Sequence, residues 1–243
     1  MRDYKKEFDE RVAYIKDILK SSGAKGIVFG NSGGKDCALV GILCKAACEN
    51  TLSVMMPCQS KRNYGEDMRD ALDLCERFGI EHITVDLTAV KNAVMSAIGE
   101  AQTVTDEAAN NINPRLRMTV DYAVAQSRGA LVAGSGNRSE RYVGYFTKWG
   151  DGAFDFNPIA DLTVTEVYEF LKYLDAPLNI RTKAPSAGLY EGQTDEGQLG
   201  VTYRNIDGVI LDGECDEEAK PIIERLHRVT EHKRRPAPMY PDK

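Results

Sequence analysis

Gly26-Ile27-Val28-Phe29-Gly30-Asn31-Ser32-Gly33-Gly34-Lys35-Asp36-Cys37-Ala38-Leu39-Val40-Gly41-Ile42-Leu43 decides how this chain is read. The apolar run at 26–30 predicts a buried strand, and the run from Ala38 onward predicts the start of a buried helix. Between them lies a glycine-rich turn. A strand, such a turn and a helix N-terminus make an anion site, because glycine lets the backbone approach a ligand and the first helical N–H groups point at it. Asp36 sits inside that turn. A carboxylate beside bound phosphates needs a cation between them, which implies Mg²⁺ and a nucleotide polyphosphate. The pattern is not the P-loop G-x-x-x-x-G-K-[ST]: counted from Gly30, the second glycine falls on Lys35, and Asp36 replaces the hydroxyl after the lysine.

Outward from this turn, strands and helices alternate. Phe8, Val12, Ile15, Ile18 and Leu19 recur at helical spacing, predicting an N-terminal amphipathic helix closed by Gly23 and Gly26. Further strands are expected at 52–57, 82–86 and 131–134, and helices at 36–48, 66–78 and 87–100. Residues 101–112 are polar and poorly patterned, and a helix is expected over 114–126 with Pro114 in its first turn. Thr163-Val164-Thr165-Glu166 reads as a capping box opening a helix that stops before Pro177. Such alternation gives βαβ units and a parallel sheet, with ligands outside the carboxyl ends of the strands. Residues 181–200, rich in glycine and small polar side chains, read as a functional loop.

The 243 residues suffice for one large domain, with no repeat or clear boundary. No apolar run approaches the ~20 residues of a bilayer span, and the first residues do not resemble a secretory signal. A net charge of −6 argues against general nucleic-acid binding. The six cysteines form no C-x-x-C pair, and with only three histidines a zinc site is not expected. They read as reduced thiols of a cytoplasmic protein.

Three further blocks complete the argument. Gly134-Ser135-Gly136-Asn137-Arg138-Ser139-Glu140 nearly imitates a dinucleotide fingerprint, but Ser139 occupies the third glycine position. It reads better as a strand-end loop offering Ser135 as a donor and Glu140 as a second carboxylate that shares Mg²⁺ with Asp36. The run at 32–37 resembles the S-G-G-x-D-S loop of the ATP pyrophosphatase superfamily, with Cys37 in place of the second serine. The blocks at 144–158 (Gly-Tyr-Phe-Thr-Lys-Trp-Gly-Asp-Gly) and 183–200 (Lys-Ala-Pro-Ser-Ala-Gly-Leu, then Gly-Gln-Thr-Asp-Glu) narrow this. Through them the chain resembles the NAD synthetases, in their short ammonia-dependent form, from Gly30 to Arg234. A GMP synthetase core or a tRNA sulfur transferase lacks these blocks. A nucleotide-binding module without turnover remains the alternative from another class.

The resemblance implies a Rossmann-like α/β fold, a parallel sheet with helices on both faces as in the adenine nucleotide alpha-hydrolases. The whole chain, 1–243, would be one such domain. It implies that Gly30, Asn31, Ser32, Gly33, Gly34, Lys35, Asp36, Cys37, Ser135 and Ser186 bind ATP. Asp36 and Glu140 hold Mg²⁺, and Arg115, Lys148, Asp155, His232 and Lys233 hold deamido-NAD. Val164 stands where relatives carry an ATP-binding lysine, leaving weaker ATP binding or a substitute cation, for which Lys35 and Lys183 are candidates. Lys183 is assigned, with Asp36, a catalytic role in supporting the leaving pyrophosphate. The implied reaction amidates deamido-NAD with ammonia through an acyl-adenylate, converting ATP to AMP and pyrophosphate and forming NAD. The ~25 residues before the first strand leave no room for a glutaminase. Residues 184–200 are a candidate lid, and a homodimer is implied, with the helix at 114–126 near its interface and the dinucleotide site shared between subunits.

Overall fold

The computed structural model describes residues 2–183 and 194–240. Helix α1 (Tyr4–Ser22) is capped by the Asp3 side chain, which accepts from the Lys5 and Lys6 N–H groups, and ends at Gly23 with φ of 71°. Strand β1 (Ile27–Gly30) leads through the glycine turn into α2 (Lys35–Ala47). β2 (Thr51–Met55), the short α3 (Lys61–Tyr64), α4 (Glu66–Phe78), β3 (Glu81–Thr84) and α5 (Thr88–Gly99) follow. Then come the long α6 (Asp106–Arg128), β4 (Leu131–Val132) and α7 (Arg138–Val143). α8 (Val164–Tyr173), α9 (Leu178–Thr182), α10 (Asp195–Leu199), α11 (Tyr203–Leu211), α12 (Lys220–Val229) and α13 (Glu231–Arg234) complete the order.

The strands form one parallel sheet in the order β3-β2-β1-β4, with Val28 beside Leu52 on one side and Val132 on the other. β1 and β2 are built from apolar and small side chains that are all buried or nearly so, as expected of a sheet covered on both faces. One face carries α1, α2 and α8, with Phe29, Leu39, Leu43, Phe170 and Leu171 in the shared core. The other carries α6, packed through Val120, Val124 and Ala125 against Val28, Leu52 and Val54. A third apolar cluster joins α7, α8, α11 and α12 around Val143, Val164, Tyr203 and Ile223. After β1 the chain winds toward β2 and β3, then returns to place β4 on the far side of β1. That reversal leaves a crevice at the carboxyl ends of β1 and β4, where parallel sheets bind ligands.

The expected α/β architecture is therefore present, with corrections to its bounds. The second, third and fourth strands end earlier than expected, at Met55, Thr84 and Val132. Beyond them the regular ladder gives way to the crevice rim, where the Val85 N–H still donates to the Met55 carbonyl and the Ala133 N–H to the Val28 carbonyl, both at 2.9 Å, and Ala133 bridges to Phe156. Pro114 does not begin a helix. α6 starts at Asp106, capped by Thr105 Oγ1 accepting from the Ala108 N–H, with Asp106 and Glu107 in the first turn, so Pro114 is interior. An interior proline removes the hydrogen bond to the carbonyl four residues back. Here that is Asn110, and both residues line the crevice rather than the core. The capping box at Thr163 and Glu166 is formed, with Thr163 Oγ1 accepting from the Glu166 N–H and Glu166 Oε2 from the Thr163 N–H.

Candidate functional site

The crevice encloses about 800 Å³ and is walled by the β1–α2 turn, the ends of β2 and β4, α4, α6 and the 144–153 segment. The turn is fixed from beneath. Asn31 Nδ2 donates to Ser53 Oγ at 3.0 Å, while Asn31 Oδ1 accepts from the Gly33 N–H at 3.0 Å. Asn31 thus shapes the loop with its side chain. Gly33 has φ of 72°, and a Cβ there would lie 2.2 Å from the Asp67 carbonyl oxygen, so only glycine fits. α2 begins directly after Gly34, which leaves its first N–H groups without intrahelical acceptors.

Two carboxylates converge on one point beside this helix start. Asp36 Oδ2 lies 2.6 Å and Glu140 Oε1 3.7 Å from Lys35 Nζ. Asn137 Nδ2 donates to the other Asp36 oxygen at 3.1 Å. Asn137 also caps α7 in a capping box with Glu140, whose Oε2 accepts from the Asn137 N–H. Glu140 is therefore a held side chain rather than a solvated helix-start acid. Burial and the neighbouring Asp36 charge push its carboxyl above the usual range, against the pull of Lys35. Burial by itself would lower the Lys35 value, but Asp36 and Glu140 raise it and keep the ammonium charged. Two hard oxygen donors aimed at one cation suit Mg²⁺, which takes one or two carboxylates and fills its shell with water and phosphate. Among the described residues no group of three or more His, Cys, Asp or Glu gathers, so a cage made by the protein alone is not formed.

Cys37 links the two glycine loops, with its Sγ 3.4 Å from Ser32 Oγ and its thiol donating to Ser135 Oγ at 3.7 Å. Burial raises the Cys37 thiol, which suits a hydrogen-bonding rather than a nucleophilic role. Val164 is buried at the start of α8 in the third apolar cluster. Of the two candidate cations, Lys35 places its ammonium 5.9 Å from the Tyr168 ring and 5.8 Å from the Tyr203 ring. Lys183 also lines the crevice, but its ammonium pairs with Asp67 at 2.8 Å and Asp70 at 2.6 Å on α4. Ser186 and most of the candidate lid lie outside the described residues; its end forms α10, capped by Thr194.

The residues expected to hold the second substrate divide. Lys233 lines the crevice and donates to the Gly144 and Phe146 carbonyls at 2.8 and 2.7 Å. Lys148 Nζ donates to the His232 carbonyl at 2.8 Å, and Arg115 reaches the Lys148 carbonyl at 3.4 Å, so these three share one outer surface. Asp155 is engaged elsewhere: its Oδ2 accepts from the Val132 N–H at 2.8 Å and its Oδ1 from the Tyr122 hydroxyl at 3.3 Å, which pins β4. Sequence reasoning missed Asp121. It is 8% exposed, its Oδ1 has no hydrogen-bond partner among the described residues, and it borders the crevice against Gly30. Burial pushes its carboxyl up to about 7, with Arg117 pulling the other way. The available signal was an acid on the apolar face that Val120, Val124 and Ala125 otherwise define.

Comparison with known proteins bears on this site. A family model described as NAD synthase matches residues 7–237. A curated NH(3)-dependent NAD(+) synthetase of Carboxydothermus hydrogenoformans is 43% identical over 236 residues, covering 96% of each chain. A solved NMN synthetase from Francisella tularensis superposes with a TM-score of 0.93 at 37% identity, covering 100% of both chains. The NH3-dependent NAD synthetase from Campylobacter jejuni gives 0.82 at 27% identity, covering 99% of this chain and 100% of that one.

Proposed function

This chain belongs to the NAD synthase family of enzymes, and from that premise we propose that it amidates deamido-NAD with ammonia, through an acyl-adenylate made from ATP. The observation that carries the reading is the convergence of Asp36 and Glu140 on one cation beside the glycine loop and the α2 N-terminus.

A carboxylate is a poor acyl electrophile because oxide would have to leave. In the proposed first step the nicotinate carboxylate oxygen bonds to the α-phosphorus of ATP and the bond to pyrophosphate breaks. In the second, ammonia attacks the acyl carbon, AMP departs with the bond electrons, and the nitrogen loses a proton to give the amide. The 32–36 nest and the α2 N-terminus hold the phosphates by backbone N–H groups. Mg²⁺ held by Asp36 and Glu140 would supply positive charge beside the leaving pyrophosphate. Ser135, oriented by the Cys37 thiol, offers a hydroxyl at the opposite rim. Lys183 is held against α4 by Asp67 and Asp70, at the edge of the crevice that must exclude water from the adenylate. The outer surface of Arg115, Lys148 and His232 would take the distal part of the dinucleotide, completed by a second copy of the chain.

A second reading is favoured by the 0.93 superposition on an NMN synthetase: the acceptor is the mononucleotide carboxylate, nicotinic acid mononucleotide. One assay separates the readings. The purified enzyme is supplied with ATP, Mg²⁺ and either acceptor, with ammonium or with glutamine, and amide and pyrophosphate are followed. NAD formed with ammonium and not with glutamine supports the first reading. A kcat/KM higher for the mononucleotide moves the assignment to the second. Bound ATP with no pyrophosphate from either acceptor refutes both.

A further inference from the structure

We propose that Lys35 is a resident cation that occupies the divalent-metal position while the site holds no nucleotide, and that it transfers to the nucleotide phosphates when the metal enters. Metal and nucleotide would then bind as a pair rather than independently. The inference rests on the reading of Asp36 and Glu140 as metal ligands.

Lys35 is the first residue of α2, within the phosphate loop itself, and its side chain is 6% exposed. Its ammonium lies between Asp36 Oδ2 at 2.6 Å and Glu140 Oε1 at 3.7 Å. These are its anionic partners among the described residues. The rings of Tyr168 and Tyr203 flank it, at 5.9 and 5.8 Å, and offer no negative charge at neutral pH. The arrangement neutralises two buried carboxylates that would otherwise repel each other.

That same arrangement excludes a free divalent ion. A metal on Asp36 and Glu140 and an ammonium at the same point would be like charges a few ångströms apart in a poorly solvated site. Entry of the metal alone would strip Lys35 of its counter-charges, and a buried ion left unpaired costs several kcal/mol. A nucleotide polyphosphate removes the obstacle. It brings more negative charge than one divalent ion cancels, and it binds in the loop from which Lys35 itself projects. The ammonium can then trade carboxylates for phosphate oxygens within the reach of its own side chain. Lys35 would thereby serve as a catalytic residue touching the phosphates, and as the reason the metal waits for them.

The test measures Mn²⁺ by electron paramagnetic resonance titration, with and without the non-hydrolysable α,β-methylene analogue of ATP. Wild type, Lys35→Met, Lys35→Gln and Glu140→Gln are compared, and circular dichroism checks the fold. With no nucleotide, both Lys35 variants are expected to bind Mn²⁺ at least ~10-fold more tightly than wild type, while their affinity for the analogue falls by about 10-fold or more. These changes have opposite signs, and a damaged fold would lower both affinities. Equal Mn²⁺ affinity in nucleotide-free wild type and Lys35 variants overturns the proposal. If neither variant folds, the native protein still decides: nucleotide-free wild type binding Mn²⁺ as tightly as in the presence of the analogue also overturns it. Glu140→Gln separates the two failures. If it leaves Mn²⁺ binding with the analogue unchanged, the metal reading itself falls. If it weakens that binding while the Lys35 variants show no gain, only the present inference falls.

Discussion

Replacing Asp121 with Asn should make this protein more stable, by an amount that depends on pH. The side chain is buried, and no described group donates to its Oδ1. Its carboxyl is raised from 3.8 to about 7, by burial first, with Arg117 opposing. In the unfolded chain the proton leaves near 3.8, whereas the folded chain keeps it to about 7. Between those values the folded state binds more protons, so stability falls as pH rises, and above about 7 the cost is constant. The gap of about 3 in pKa, at about 1.4 kcal/mol for each unit, makes the ionised carboxylate cost roughly 4 kcal/mol at pH 8. At pH 5 the folded group is protonated, and the same linkage leaves only ~1.5 kcal/mol. Asn keeps the shape and cannot ionise, although its buried amide retains some desolvation cost. Asp121→Asn is therefore expected to gain about 2–4 kcal/mol at pH 8, with the gain smaller by ~2.5 kcal/mol at pH 5. Urea unfolding of both proteins at the two pH values measures this. A gain of equal size at both, or none at pH 8, would refute the reasoning.

Three further outcomes follow from the site. Asp36→Asn is expected to lower the rate of pyrophosphate release by ~100-fold or more while leaving the circular dichroism spectrum unchanged; activity retained at saturating Mg²⁺ removes Asp36 from the metal site. Gly33→Ala must move the loop off the Asp67 carbonyl, so ATP binding by calorimetry should be lost and stability should fall by about 1–3 kcal/mol; unaltered ATP affinity would show that the loop geometry does not matter. Lys183→Met leaves Asp67 and Asp70 without their ammonium, and a loss of roughly 3 kcal/mol is expected in thermal or urea unfolding, together with a raised KM for ATP. Wild-type stability and KM would mean that Lys183 is a solvated surface charge.

The elements legible in the sequence were those whose signal is local. The β1–α2 unit was readable because an apolar strand, two glycines and an apolar helix follow one another without interruption, and Thr163 with Glu166 announces the start of α8. The start of α6 was not, because Pro114 is a stronger helix-start signal than the Thr105, Asp106 and Glu107 that begin it. At the site, Asp36 was readable from its own loop, since an acid among phosphate-binding glycines demands a cation. The company it keeps was not. That Lys35 points between Asp36 and Glu140, or that Lys183 turns toward α4, depends on side-chain directions set by packing between segments more than a hundred residues apart. Asp121 was hidden for the opposite reason: a helix pattern shows that a face is buried, and says nothing of an acid left there without a donor.

Asp67 touches two parts of the site with different atoms. Its main-chain oxygen is the surface against which Gly33 rests, and its carboxylate is one of three within ion-pair distance of Lys183, with those of Asp70 and Glu66. The helical register of α4 is thus a common ruler for the phosphate loop and for Lys183. A side-chain substitution at Asp67 would release one and leave the other seated. A one-residue insertion or deletion in α4 between Asp67 and Ala71, where the buried apolar face of the helix begins, would rotate both points together by about 100°, the angle per residue of a 3.6-residue turn. Surface positions of α4 can therefore drift in character, but the spacing from Asp67 to the buried Ala71 and Leu74 cannot change without dismantling the site from two sides at once.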